Sequence, residues 1–414
     1  MKVLEKIIKN KLLFENFGYL SLLQIVLLVT PLIYYPYLIR VLGAENYGLV
    51  IFMQSIIAFF NILINFGLNI FSTKDVAINR NDINKLSEIF SIVLIIKIVL
   101  FFLGLIILLI FCNFIPFFQK NALLSFACYS ISISEILFPV WFYQGIEKMK
   151  YITIINVISK IIITLSIFLI INQSRDYILF PILLSIGGFI GGLISFFLCF
   201  KVEKIVFKFI DFRTLLNYGR RSFPFFASRI SAVFAIQVNS ILIGSFVGLS
   251  QVAYYDLAKK LIELFKIPNS LINQTVYPKI ARERNIVFVK KTFNLRLILS
   301  LILYLILVFS GEYIVNLIGG SEMLEASNLL WIFGILIPLT CITYYLGSTV
   351  LVSFNYENKF NISVLFSTLF YLIMSMCLYI LDGITMTNLI YLIVITELLL
   401  ALYRYYYCKK YSIL

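Results

Sequence analysis

A chain of 414 residues that is 61 % hydrophobic and 13 % charged, with a mean hydropathy of +1.00, lies far above the roughly 45–50 % apolar content of soluble domains. It is a polytopic membrane protein, and its net charge of +14 reflects topology rather than nucleic-acid binding, because Lys and Arg fall in short segments between apolar runs. Histidine is absent and Cys112, Cys128, Cys199, Cys341, Cys377 and Cys408 form no CxxC pair, so neither a zinc site, a disulfide framework nor a cofactor is expected. Any proton coupling must use carboxylates.

A membrane span needs about 20 mainly apolar residues to cross a hydrocarbon core about 30 Å thick. In chain order the sequence predicts twelve, at 16–39, 47–72, 89–112, 121–144, 151–172, 177–200, 222–247, 252–278, 293–310, 327–352, 360–381 and 385–407. The first is expected to stay in the mature protein, since "MKVLEKIIKNKLLF" has no early apolar core followed by a small-residue cleavage site.

Short loops rich in Lys and Arg stay in the cytoplasm. With both termini inside, 24 of the 34 basic residues fall in inner segments, against Arg40, Lys120 and Arg175 outside. The count also decides the charged stretch "YYDLAKKLIELFKIP" at Tyr254: Lys279, Arg282, Arg284, Lys290 and Lys291 must lie inside, so 252–278 has to cross. On a helix, Asp256, Lys259, Lys260, Glu263 and Lys266 share an arc of about 120°, a stripe that should face protein or water. Asp256 and Lys260, and Lys259 and Glu263, are four apart and partly neutralise each other.

The longest basic segment, 201–221, separates 1–200 from 222–414 and reads as a cytoplasmic linker between two six-span halves. The halves carry an echo: "GAENYG" at Gly43 joins the first two spans, and "GLSQVA" at Gly248 joins the seventh and eighth.

An ionisable residue in hydrocarbon is expensive, so each one is a candidate for function unless a partner explains it. Lys97, Lys160, Arg229, Glu135 and Glu397 come out roughly 10–14 Å from the cytoplasmic ends of five different spans. With the eighth span and Arg296, seven cations (Lys97, Lys160, Arg229, Lys259, Lys260, Lys266, Arg296) face four anions (Glu135, Asp256, Glu263, Glu397). Such a surplus should attract an anion from the cytoplasm, with arginine and lysine suited to phosphate. Singly, Lys97 or Lys160 could instead snorkel to the interface, and Glu135 or Glu397 could be a structural ion-pair partner rather than a proton carrier.

Catalytic signatures are missing: there is no GxxxxGK[ST], HExxH or GxSxG, and no soluble segment long enough for a catalytic domain. The longest outer loop, "GEYIVNLIGGSEMLEA", has no basic residue, which disfavours an integral polymerase or ligase.

The stretches "YYPYLIRVLGAENYGLVIFMQSI", "NFGLNIFSTKDVAINRND", "FPVWFYQGIEKMKYITI" and "SLINQTVYPKIAR" resemble the Wzx-type flippases. These are the O-antigen and capsular-polysaccharide exporters of the multidrug/oligosaccharidyl-lipid/polysaccharide superfamily. The resemblance runs over nearly the whole chain. It implies an all-α integral membrane protein with twelve transmembrane helices in two six-helix bundles around a central cationic cavity, moving undecaprenyl-pyrophosphate-linked oligosaccharide to the periplasmic leaflet of the bacterial inner membrane by alternating access. Membrane lipids, a polysaccharide polymerase and chain-length machinery are the partners it implies. A drug exporter of the same fold would favour an anionic cavity, whereas a lipid II flippase shares the substrate chemistry and differs only in the motifs quoted.

Overall fold

The computed structural model describes the backbone of residues 2–414, and the side chains of all of these but 2–14, 17, 28, 228, 231–236, 274 and 278. Lys2, Lys6, Lys9 and Lys11, which helped to set the topology, have side chains outside the described residues. Among the described residues the chain is helical with no strand.

It forms two compact units, Met1–Val238 and Asn239–Leu414. The first contains α1 (Lys2–Asn65), α2 (Leu68–Ile78), α3 (Ile83–Phe114), α4 (Pro116–Lys120), α5 (Ala122–Ser130), α6 (Ile133–Leu137), α7 (Val140–Gly145), α8 (Met149–Ile170), α9 (Leu179–Lys201) and most of α10 (Phe212–Phe246). The second continues with α11 (Leu249–Glu283), α12 (Ile286–Gly319), α13 (Ser327–Phe333), α14 (Leu336–Tyr344), a π-helical segment Tyr345–Leu351, α15 (Glu357–Ile380) and α16 (Met386–Lys410).

Among the described residues, eight helices are long and apolar enough to cross a membrane, or nine if the bent pair Ser321–Phe333 and Leu336–Leu351 makes one span. The sequence predicts twelve. The difference has two physical sources. Gly18–Ile78 counts once although the helix is broken at Gly43, whose φ of 76° and ψ of 165° are not helical. At about 1.5 Å per residue, its 61 residues would extend roughly 90 Å, about three times the hydrocarbon thickness. The other source is charge: α11 has 35 residues, enough for about 52 Å, but is too polar to count as an apolar span, while α10, of the same length, runs through 231–236, whose side chains lie outside the described residues.

Gly43 and Gly248 hold corresponding places and the same kind of backbone. Gly248 has φ 146° and ψ 160°, so both turns use positive φ where a side chain would be strained. The echo in the sequence is therefore an echo in geometry.

Large apolar side chains cover the outside. On α3, Val99, Phe102, Ile106 and Ile110 recur at helical spacing and are exposed, as are Leu295, Ile298, Ile302 and Phe309 on α12. Such faces suit lipid. Inside unit 1, Phe71, Phe90, Trp141, Phe142 and Tyr218 form the centre of a buried cluster. The start of α10 belongs to this unit because it packs on α2: Tyr218 donates to Ser72 at 3.1 Å, and Phe226 stacks on Phe66 at 4.5 Å. The preceding segment is strapped to α3, since Val206 and Lys208 donate backbone N–H groups to Ser87 and Ser91.

Candidate functional site

In unit 1 the expected charges meet where a helix is broken. The span expected at 121–144 is divided into α5, α6 and α7, and Pro139 lies four residues after Glu135. Proline has no N–H, so the Glu135 carbonyl lacks its usual helical donor. Lys97, only 1 % exposed, supplies one: its Nζ donates to that carbonyl at 2.8 Å and to Asn69 Oδ1 at 2.9 Å. Asn65 Nδ2 donates to the Glu135 carboxylate at 2.9 Å. Lys97 therefore reaches inward to partners and does not snorkel.

Glu135 and Lys160 line one cavity of about 270 Å³ with Ser134, Asn156 and Ser159. Its floor is opened by the glycines of α9. A Cβ at Gly188 would come within 2.9 Å of Ser134 Cβ, and one at Gly191 within 2.6 Å of Ser159 Oγ. The buried oxygens left over nearby are acceptors on Asn61 and Asn65, together with the Ser132 hydroxyl.

Unit 2 repeats the motif with a different ending. Arg296 is also 1 % exposed, and two asparagines four apart receive it: Nη1 donates to Asn273 Oδ1 at 2.6 Å, and Nη2 to the Asn269 carbonyl at 3.0 Å. Its guanidinium lies over the Tyr345 ring at 4.7 Å. Arg296 lines a cavity of about 220 Å³ with Lys266, Asn269, Ser270, Thr340, Cys341 and Tyr344, and no carboxylate is among the lining residues.

Glu397 accepts a short hydrogen bond from the Thr343 hydroxyl, and the Thr343 carbonyl accepts from Arg404 Nη1 at 2.6 Å. Arg404 is 5 % exposed, donates from Nε to Ser363 Oγ at 2.9 Å and lies over Phe360. It fits only because Gly347, in the π-helical segment, has no side chain: a Cβ there would stand 2.4 Å from Nη1. Asp256 and Lys260 form the expected ion pair on α11.

The structure thus brings together Lys97, Glu135 and Lys160 in one unit and Lys266 with Arg296 in the other. Arg229 and Glu263 are exposed, Lys259 is half-buried, and none of the three lines these two cavities. Sequence reasoning does not single out Arg404 or the asparagine pairs. The signal was present: "NFGLN" at Asn65 and "NSLIN" at Asn269 each place two amides four apart in an apolar setting.

The fold and its buried charges define an all-helical, multi-pass membrane protein with a membrane-transporter fold. Its fold is similar to that of a solved structure titled "Lipid II flippase MurJ, inward closed conformation", with a TM-score of 0.71 at 16 % identity over 96 % of this chain and 87 % of that one. An inward-facing multidrug resistance MATE family transporter of the MOP superfamily matches with a TM-score of 0.68 at 16 % identity, over 92 % and 94 %. The chain belongs to the family described as Polysaccharide biosynthesis protein, whose profile matches residues 13–284. It is 26 % identical over 363 residues to a protein of Escherichia coli (strain K12) named "Putative O-antigen transporter", covering 85 % of this chain and 86 % of that one. A protein of the same name from Shigella dysenteriae is 28 % identical over 263 residues, or 61 % and 63 % of the two chains.

Proposed function

We propose that the chain is a flippase that moves undecaprenyl-pyrophosphate-linked oligosaccharide repeat units, of O-antigen or capsule type, from the cytoplasmic to the periplasmic leaflet of a bacterial inner membrane by alternating access. The observation that carries this reading is the burial of Lys97 and Arg296 within the helical units of a polysaccharide biosynthesis protein whose relatives are named as O-antigen transporters. Cations held inside a membrane protein suit an anionic carrier phosphate. The chemistry is translocation and breaks no bond, so the chain is a transporter rather than an enzyme.

In this reading twelve helices cross. The kinked first helix supplies two crossings, the bent pair supplies one, and α10 and α11 cross despite their charges. The halves 1–200 and 222–414 are joined by 201–221, with both termini cytoplasmic. Lys160, Arg229, Lys259 and Lys260 contact the cargo, while Glu135 and Glu397 are the carboxylates through which protons could couple. A polysaccharide polymerase and chain-length machinery act on the flipped unit. A drug exporter is disfavoured by the carboxylate-free lining of the unit 2 cavity.

Deletion of the chain tests the reading. Lipid-linked repeat units should accumulate on the cytoplasmic face and surface polysaccharide should disappear, both restored by the wild-type chain; normal surface polysaccharide in the deletion strain would refute the proposal. Arg229→Ala should lose polysaccharide while still inserting, and normal polysaccharide there would remove Arg229 from the mechanism.

A further inference from the structure

Buried donors without acceptors cost free energy, about 1–3 kcal/mol for a neutral group and more for a charged one. They therefore mark places where something else supplies the acceptor. In unit 2 two such donors share one cavity. Arg296 Nε and Asn269 Nδ2 are both buried without a hydrogen-bond partner, on residues 1 % and 4 % exposed. The Asn269 amide is oriented by its other end, because Cys341 Sγ donates to Oδ1 at 3.4 Å. Lys266 lines the same cavity, and among the described residues neither Lys266 nor Arg296 has an ion-pair partner.

Two of the acceptors at the cavity are already occupied. Asn273 Oδ1 takes Arg296 Nη1 and the Thr349 hydroxyl, and Thr340 uses its own hydroxyl on the Leu336 carbonyl. A cation would meet two positive side chains there. Water could satisfy single donors; Glu397 and Glu263 lie close enough to act on Lys266, but neither forms an ion pair with it and neither lines the cavity. The cavity, about 220 Å³, is many times what one water molecule requires.

We propose that Lys266, Asn269 and Arg296 form a binding site for one phosphate-type oxyanion inside unit 2. Arginine Nε and the asparagine amide fix its orientation, and the lysine ammonium supplies charge. Two sources carry that chemistry, a free phosphate or pyrophosphate ion and the pyrophosphate of a carrier lipid. Assigning the lipid rests on the flippase reading above; the oxyanion site does not.

The test is thermal unfolding of the purified full chain in detergent, titrated separately with inorganic pyrophosphate and with undecaprenyl pyrophosphate, with chloride at matched ionic strength as reference. The wild type and a Lys120→Gln control should be stabilised by at least one phosphate probe beyond chloride. Lys266→Gln and Asn269→Asp should weaken apparent binding about ten-fold or more, as expected for losing a charged hydrogen bond or adding a like charge. Should Arg296→Gln fail to fold, these two variants still decide. Stabilisation by the lipid assigns the carrier as ligand, whereas stabilisation by inorganic pyrophosphate alone assigns a free ion. No stabilisation by either probe, or full binding in Lys266→Gln, overturns the site. Binding in a protein that moves no lipid-linked oligosaccharide would leave the site standing and remove the flippase reading.

Discussion

The two units place a buried cation in corresponding positions and finish the job differently. In each, two asparagines four apart in sequence stand beside a cation from the next long helix: Lys97 donates to Asn69 while Asn65 donates to Glu135, and Arg296 donates to the Asn273 side chain and the Asn269 carbonyl. In each, a broken or bent helix packs alongside. In unit 1 that helix brings Glu135, whose carbonyl is freed by Pro139, and the atoms left over include the amide oxygens of Asn61 and Asn65. In unit 2 it brings Cys341 and Thr340 with no acid, and the atoms left over are donors. In unit 1 a carboxylate lines the same cavity as the cation; in unit 2 the cavity lining holds cations and no carboxylate, the arrangement the proposed oxyanion would complete.

The largest effect expected comes from breaking the internal compensation. Lys97→Met should destabilise the protein by about 3 kcal/mol or more, since it removes two charge-assisted hydrogen bonds and a cation that acts on Glu135. Lys97→Met combined with Glu135→Gln should recover part of that loss, which denaturant unfolding in detergent would measure as a coupling term. Additive losses would mean that the two residues are not one unit, and the contrast between the halves would fall.

Gly347→Ala comes next. The new Cβ would collide with the Arg404 guanidinium, forcing it off Ser363 and the Thr343 carbonyl, at a cost of about 2–3 kcal/mol. Because Thr343 also holds Glu397, any coupling through that carboxylate should weaken in parallel. Wild-type stability in this variant would show that the π-helical segment can shift to make room.

The smallest effect should come from the linker. The Asp211 carboxylate accepts from the Thr214 hydroxyl at 2.6 Å and its backbone N–H at 3.0 Å, at the start of α10. These bonds, the hydroxyl first, hold its pKa below the usual carboxylate value. A folded-state pKa lowered in this way contributes stability that is present above the ordinary value, about 3.9, and is lost as pH falls through the lowered one. Asp211→Ala should therefore reduce stability slightly at neutral pH and flatten the acid limb of the profile below about pH 4. An unchanged acid limb would remove this cap from the account.

Much of the fold was legible because apolar run length and loop charge are strong, local signals. They found the membrane class and the turns at Gly43 and Gly248. Of the interior charges, Lys97, Glu135, Lys266 and Arg296 could be named because a charge in an apolar run stands out. Their partners could not, since pairing depends on which helix packs on which. Nothing local says that Lys97 serves a carbonyl freed by Pro139, or that Arg404 enters a space left by Gly347. Arg404 goes unmarked for the same reason: what buries it is Gly347, Ser363 and the Thr343 carbonyl, all on other elements.

The account meets its most direct test in proteoliposomes loaded with undecaprenyl-pyrophosphate-linked oligosaccharide, with transfer between leaflets followed by protection from an external glycosidase. The wild-type chain should move the lipid, and Lys266→Gln should slow the movement about ten-fold or more by removing a charged contact to the phosphate. Transfer no faster than in protein-free vesicles, or undiminished transfer by Lys266→Gln, would contradict it.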